Sequence, residues 1–478
     1  MKNICRHALL VFFAFLISSC ATTTRYYTDL DILVRNENYQ GAADFAEKSK
    51  LSAYGEKNAL LYWLDRGMLL HLAGQYSASS EAFERAKTIS EEYFTKSITA
   101  EASTLLVSDN MRPYYGEDFE RALINVFGAL NYIFLENEPE AVVEAKQVDF
   151  FLTTLQTKYG YKGVYKEDAF ARYLMGMIYE NQGQLNDACI SYAKALEAYE
   201  QYESAYFVPV PQMLVKDALR CAAKLGITDD VRELEKKWEI QIDDAPWLPK
   251  GSGELVILDY NGMSPVKIDS IFEISFGRAW IYVGEAEPEG EEEEQVEQAR
   301  AIARNILSEE QVRMAFPKYV SSPYAISEFS AEAGGLDSVS RASSRGVLVE
   351  NIGGIAVKSL EDRVDRIRIR TIIRAAIKFA LTHKIAQKVE ENNQNEVLTW
   401  LVKKSLSVAS AATELADKRS WRSLPDRILM ARLVLPEGAH DVDLTFTDNS
   451  GRIILRKTLQ DVRIRPGKKT FAVVRTAI

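Results

Sequence analysis

The chain has 478 residues, of which 47% are hydrophobic and 26% are charged, which is ordinary for a globular protein and enough for two or three domains. Its formal net charge is -10. This charge argues against a nucleic-acid partner, because phosphate binding needs a basic face. Beyond the N-terminal region, no segment of membrane-spanning length is free of charged residues.

Residues 1–19 have the features of a secretory signal peptide. Lys2 and Arg6 form a basic head. The apolar run ALLVFFAFLI that follows is too short to span a bilayer, which needs about 20 apolar residues.

The residues that end this run, Ile17-Ser18-Ser19-Cys20, resemble a bacterial lipobox. The resemblance implies cleavage before Cys20, a diacylglyceryl thioether on its sulfur and an acyl chain such as palmitate on the new amino group. Several acyl chains together give a stable membrane anchor. Residues 20–27 would then be a lipidated tether, and Ala21 favours the outer membrane. The alternative is an ordinary signal peptide with an incidental cysteine.

Residues 28–242 are predicted to be helical and repetitive. Two stretches can be aligned, WLDRGMLLHLAGQYSASSEAFERA from Trp63 and RYLMGMIYENQGQLNDACISYAKA from Arg172. The alignment follows the tetratricopeptide repeat pattern, and it pairs Gly67 with Gly176, Leu70 with Tyr179, Gly74 with Gly183, Ser79 with Ala188, Phe83 with Tyr192 and Ala86 with Ala195. The small residues allow two antiparallel helices to approach closely, and the turn glycines end the first helix of each pair.

Two weaker copies, at 36–48 and 125–148, extend the array, the second with Ala129, Tyr132, Ala141 and Ala145 at the key positions. We expect a solenoid with a concave binding face. A generic helical bundle is the alternative. Cys189 and Cys221 fall on predicted neighbouring helices and could form a disulfide in an oxidising compartment, or remain reduced and buried.

Residues 243–253, with two prolines, are predicted to be a linker, and residues 254–416 a mixed α/β domain. ELVILDY and IFEISF have β-like character, and they lead to AWIYVGE. The acidic insert at 285–298 is predicted to be a solvated loop or helix start, since it lacks the ligand spacing of a calcium loop.

A helix is predicted across residues 362–389. Arg363, Arg366, Arg370 and Arg374 recur every three or four residues and therefore share one side of that helix. This side could contact an anionic lipid headgroup, a glycan or an acidic partner. Alternatively, it is a solvated flank paired with Asp362 and Asp365.

Residues 417–478 are predicted to form a small antiparallel β-sandwich. HDVDLTFT alternates in polarity, and Asp448–Gly451, Pro436–Gly438 and Pro466-Gly467 are turn sequences. The expected fold class is therefore α+β and multidomain, with a helical solenoid, a mixed middle region and a C-terminal sandwich.

The sequence contains no recognisable catalytic motif. After the signal segment, its histidines are His71, His383 and His440, in three separate segments, and His71 is expected to be a packing residue. Asp417, Arg419, Ser420 and Trp421 are interpreted as a charge pair under a tryptophan at a domain junction. No cofactor, metal or small-molecule substrate is predicted.

Three segments, GEDFERALINVFGALNYI, GELVILDYNGMSPVKI and ADKRSWRSLPDRILMARLVLPEGAHDVDL, together resemble a group of uncharacterised bacterial outer-membrane lipoproteins with N-terminal tetratricopeptide-like repeats. The resemblance implies a protein of the envelope, in company with secretion or cell-wall assembly. We predict a non-catalytic scaffold, anchored in the outer membrane through Cys20 and facing the periplasm, that recruits protein partners through the repeat groove. The alternative is an envelope enzyme acting on glycan, with a site in residues 254–416.

Overall fold

The computed structural model describes residues 25–100, 110, 112–159, 165, 167–285, 311–334, 341–392 and 415–478. The predicted signal peptide, Cys20 and all but the first residue of the acidic insert lie outside the described residues. Residues 25–27, which were predicted to belong to the tether, already form part of a helix, and Tyr26 is buried.

The N-terminal half is a stack of antiparallel helices, in which each helix contacts the next along the chain. Within the described residues these helices are α1 (25–35), α2 (Tyr39–Lys48), α3 (Ala59–Leu72), α4 (Tyr76–Ala100), α5 (Asp118–Phe134), α6 (Glu138–Tyr159), α7 (Ala169–Asn181), α8 (Leu185–Tyr206), α9 (Gln212–Leu225) and α10 (Thr228–Trp238).

The two best repeats close in the way that their sequences predicted. A Cβ atom on Gly67 would lie 2.4 Å from the ring of Phe83, and one on Gly176 would lie 2.4 Å from the ring of Tyr192. Both positions therefore need glycine, because the first helix of each hairpin touches an aromatic ring of the second.

The turns of these hairpins also need glycine. Gly74 and Gly183 have φ values of 73° and 71°, in the left-handed region that favours a residue without a side chain. In the hairpin between α5 and α6, Glu136 adopts φ 55° instead. The weaker copy at 125–148 therefore turns with the same left-handed backbone geometry, but with glutamate at the position that favours glycine. This difference weakens its match to the repeat pattern.

Within the described residues, the C-terminal half contains three sheets. Its described elements are β1 (Ser252–Asn261), β2 (Val266–Ser275), α11 (Phe276–Glu285), β3 (Gln311–Val320), β4 (Glu328–Ala333), β5 (Ala342–Arg345), β6 (Val347–Glu350), α12 (Ile352–Asn392), β7 (Arg427–Pro436), β8 (Gly438–Thr447), β9 (Ile453–Ile464) and β10 (Lys469–Thr476). The strand orders are β10-β1-β7-β6, β2-β3 and β5-β4-β8-β9.

Strand β1 lies at the centre of the molecule and is buried along its whole length. Val256, Leu258 and Tyr260 belong to the core shared with the helices. Leu255 and Ile257 point to the opposite face, where they pack against the sheet that contains β4 and β8. The protein is therefore built in three layers, with the helical array on one face of the central sheet and a second sheet on the other.

The predicted boundary at residue 417 does not match the strand pairing. β1 pairs with β10 in parallel and with β7 in antiparallel orientation, so residues 254–416 and 417–478 share a sheet. β4 likewise pairs with β8. Local alternation identified the tail as β-structure, but it carries no information on which distant strand completes a sheet. The predicted linker is also shorter, because β1 begins at Ser252.

The remaining elements form a smaller unit beside the central sheet. β2 and β3 pair as a two-stranded antiparallel sheet, and α11 and β3 contact α12, a helix of 41 residues. The AWIYVGE segment lies in α11.

Candidate interaction surfaces

The face of the array formed by α3, α5 and α7, called here the inner face, is covered by the C-terminal half of the same chain. Every residue from Ala169 to Tyr179 of α7 is buried. The prediction of an open repeat groove is therefore wrong for this face, because the central sheet and the segment before β7 fill the place where a partner would lie.

Residues 415–424 cross the inner face as a strap without helix or strand, which turns at residues 422–424. Trp421 is fully buried, and its ring packs edge-on against Phe83 and Phe127 at 6.0 and 5.9 Å between centroids. Its backbone N–H donates to Glu120 at 2.7 Å. The buried Trp421 ring and the hydrogen bond from its backbone N–H together fix the strap on the repeats.

The strap also carries the predicted polar cluster. Asp417 accepts hydrogen bonds from the guanidinium of Arg419 at 2.8 and 2.7 Å, as the interpretation of a charge pair required. Ser423 donates its hydroxyl proton to Asp65 at 2.8 Å. These contacts hold the strap rather than forming an open site.

His71 lies at the junction of the two halves. Its Nδ1 is 2.6 Å from Asn131 Oδ1, and its Nε2 is 3.2 Å from the hydroxyl of Tyr260 on β1. Burial lowers the pKa of His71 to about 4. The imidazole is therefore a neutral packing group at neutral pH. The side chain of His383 lies outside the described residues, and His440 is bonded to the carbonyl oxygen of Pro436.

A buried ionic network joins α9 to the central sheet. Arg432 of β7 donates to both carboxylate oxygens of Glu254 at 2.5 Å, to the Tyr173 hydroxyl at 2.8 Å, and to Asp217. Burial alone would raise the pKa of Asp217, but the nearby cations Arg432, Lys469 and Arg220 hold it well below its usual range. Breaking such a pair is costly, because it leaves a buried charge without compensation.

The predicted arginine side of α12 is not a single exposed surface. Arg363 forms an ion pair with Glu117, which also accepts from Lys267 at 2.6 Å. Arg374 is buried. Arg370 is half-buried, and the side chain of Arg366 lies outside the described residues. Of the three arginines whose side chains are described, Arg374 is thus turned into the protein, whereas Arg363 is 46% exposed although it pairs with Glu117.

Cys189 and Cys221 form a disulfide, with their Cα atoms 5.5 Å apart. It joins α8, the second helix of the repeat that begins at Arg172, to α9, the helix that carries Asp217 of the ionic network.

Among the described residues, no group of three or more His, Cys, Asp or Glu side chains could hold a metal ion. None of the described helices is long and apolar enough to cross a membrane.

One open groove, called here the edge groove, lies where the α5–α6 and α7–α8 turns meet β8, β9 and β10, and it has a volume of about 870 Å³. The side chain of Asn181 bonds both the N–H and the C=O of Lys469 at 2.8 Å, and so covers the end of the free edge of β10. Arg465, on its wall, pairs with Glu136. The edge groove is where repeat turns dock onto the sheet.

A second groove, called here the outer groove, lies between α2 and α4 with α3 at its floor and has a volume of about 630 Å³. It opens on the side of α3 opposite to the inner face. Its lining residues are Glu47, Lys48, Lys50, Leu51, Tyr62, Trp63, Arg66, Leu70, Ala78, Glu81, Ala82 and Arg85. Sequence reasoning missed this site, because it predicted the concave face as the binding surface. The adjacent lysines and the Tyr62-Trp63 pair were available signals.

The tetratricopeptide-repeat family profile matches residues 171–202, which form α7 and most of α8. The match supports the repeat interpretation over a generic bundle. Among solved structures, the crystal structure of MamA protein matches at 15% sequence identity and a TM-score of 0.28, covering 45% of this chain and 89% of that chain. No curated protein sequence matches the chain. The chain thus carries a repeat of a class that mediates protein–protein interaction.

Proposed function

We propose that this protein is a lipid-anchored scaffold of the bacterial envelope that recruits protein partners. The observation that carries the proposal is the tetratricopeptide repeat at 171–202, set in a stack of helical hairpins. Such hairpin arrays present large, rigid surfaces to other proteins. Here the array is braced by its own C-terminal half, and the outer groove is one surface of the described residues that stays open to a partner.

The proposed lipid anchor is argued from the lipobox-like residues 17–20, and it would hold the protein in the outer membrane with its body in the periplasm. Helix α1 is described from residue 25. The five-residue interval from Cys20 spans at most about 18 Å when fully extended. The folded body would therefore sit directly on the membrane surface, and its partners would be envelope proteins in a secretion or cell-wall assembly.

Replacing the predicted lipidated residue tests the anchor. We expect Cys20→Ser to prevent lipidation, so that the protein stalls in processing or is released from the outer-membrane fraction, as measured by fractionation and by labelling with a radioactive fatty acid. A Cys20→Ser protein that matures and remains bound to the outer membrane would contradict the proposal. Ser19→Ala, which keeps a small residue before the cysteine, is the matched control.

The alternative function is a glycan-acting enzyme with its site in residues 254–416. The edge groove and the outer groove are both lined by residues outside this range. The repeat at 171–202 and the stack of hairpins around it favour the scaffold over this alternative.

A further inference from the structure

The outer groove uses the side of α3 that the C-terminal half leaves open. Tyr62, Trp63, Arg66 and Leu70 fall within one 100° sector of this helix and line the groove. Asp65 and His71 lie on the other side, where they bond the C-terminal half. The same helix therefore binds the body of the protein on one face and offers a groove on the other.

The charge of the outer groove is opposite to that of the whole chain. Four basic side chains and two acidic ones line it, whereas the chain has a net charge of -10. Glu47 is bonded to Arg66 at 3.0 Å, so one of the two acidic side chains is already neutralised. The remaining cations, Lys48, Lys50 and Arg85, outnumber the remaining acid, Glu81, by two, and this excess of positive charge complements an acidic ligand.

The groove also has an apolar component. Lys50 lies over the rings of Tyr62 and Trp63, with its ammonium 4.7 and 4.8 Å from their centroids. The neighbouring Leu51 is 81% exposed at the rim. The π-helical turn Lys50–Tyr54, closed by Gly55 at φ 65°, places these two residues over the groove. A cation beside aromatic rings and an exposed leucine suits a peptide that carries both carboxylates and an apolar side chain.

We propose that the outer groove binds an acidic peptide segment of a partner protein. Its carboxylates would meet Lys48, Lys50 and Arg85, and one apolar side chain would pack on Leu51 and Trp63. The volume of about 630 Å³ is in the range of ligand-binding pockets. This inference rests on the proposed scaffold function, since it names the site and the chemistry of the partner.

Photo-crosslinking in the native host tests the groove directly. The photoreactive amino acid p-benzoylphenylalanine replaces Leu51 in the full-length protein, or Phe207, which is 83% exposed at the end of α8. We expect an adduct from position 51, whose crosslinked partner peptide, identified by mass spectrometry, is rich in Asp and Glu. The adduct should fall at least tenfold when Lys50→Glu and Arg85→Glu are introduced together.

A matched pair, Arg232→Glu with Arg463→Glu, changes the net charge equally at sites that are 78% and 82% exposed, far from the groove in sequence. It should leave the adduct unchanged. A basic or uncharged partner peptide, or an adduct insensitive to the Lys50 and Arg85 reversal, would overturn the inference. Adducts from position 207 without any from position 51 would also overturn it while leaving the scaffold function intact. No adduct at either position would count against both.

A titration with a synthetic peptide of alternating Glu and Leu provides a second measurement. Wild-type protein should bind it more tightly than a Lys-Leu peptide of equal length, and the affinity should fall with added salt because the contact is electrostatic. Equal binding of the two peptides would contradict the inference.

Discussion

Buried carboxyl groups in this protein respond to pH in two opposite ways. Asp217 is surrounded by cations, which keep its pKa low despite burial. Asp259 of β1 is fully buried, and one of its oxygens has no hydrogen-bond partner among the described residues. Burial raises the pKa of Asp259 to about 7, although the hydroxyl of Thr476 partly opposes the shift. Asp217 therefore stays an anion in the fold, whereas Asp259 keeps its proton below about pH 7.

The neutral state of Asp259 predicts a pH-dependent effect of Asp259→Asn. Between an unfolded pKa near 4 and the folded value of about 7, the folded protein holds a proton that the unfolded chain has released. The free energy of unfolding of the wild type therefore falls as the pH rises through this window. Asparagine does not titrate, so the free energy of unfolding of the variant should not fall in this way. Relative to the wild type, it should therefore rise by roughly 2–4 kcal/mol between pH 4 and pH 8.

Urea denaturation at several pH values measures this difference. Asp365→Asn, at a side chain that is 86% exposed, serves as the control and should follow the wild type. A constant difference between Asp259→Asn and the wild type across the pH range would show that Asp259 is ionised in the folded state.

At the scale of elements, the helical hairpins follow from local sequence and the sheets do not. The close approaches at Gly67 and Gly176 were predictable, because the small and large residues of each repeat lie 16 positions apart. The partners of Arg432 were not, since Asp217 and Glu254 are separated from it by 215 and 178 residues. β1 also gave no alternating pattern from which its two faces could be assigned, because both are buried. The outer groove escaped prediction for a related reason: which face of α3 stays open depends on where the distant strands dock.

The hairpin geometry predicts that Gly176→Ala destabilises the protein. The added methyl group would lie 2.4 Å from the Tyr192 ring, whose hydroxyl is held by Glu180 at 2.8 Å, so the ring cannot move away freely. We expect a loss of about 1–3 kcal/mol in the free energy of unfolding, measured by urea denaturation.

Gly277→Ala in α11 is the matched control for this substitution, because a Cβ atom there meets nothing within 4 Å. It should be neutral or should stabilise by up to about 1 kcal/mol through the higher helix propensity of alanine. Equal effects of the two substitutions would mean that helix packing at Gly176 is looser than described.

At the scale of the whole molecule, the repeats and the central sheet share one hydrophobic core. The largest core cluster contains residues of the helices, of β1 and β7, and of the strap. The strap, His71 and the Arg432 network connect the two halves at separate points along the inner face. Such an array differs from an open solenoid, in which each repeat contacts only its neighbours. The binding site proposed above therefore lies in the outer groove rather than on the inner face.

The most direct test of this closed arrangement is native-state hydrogen exchange of the full chain at increasing urea concentrations, comparing the amides of Met177 in α7 and Ile257 in β1. Both residues are buried, and the contacts across the inner face join the helices to the sheet. The two amides should therefore exchange through the same global opening, with equal opening free energies and equal dependence on urea. If the amide of Met177 exchanges through a separate opening of lower free energy while Ile257 stays protected, the helices separate from the sheet, and the inner face is available to a partner after all.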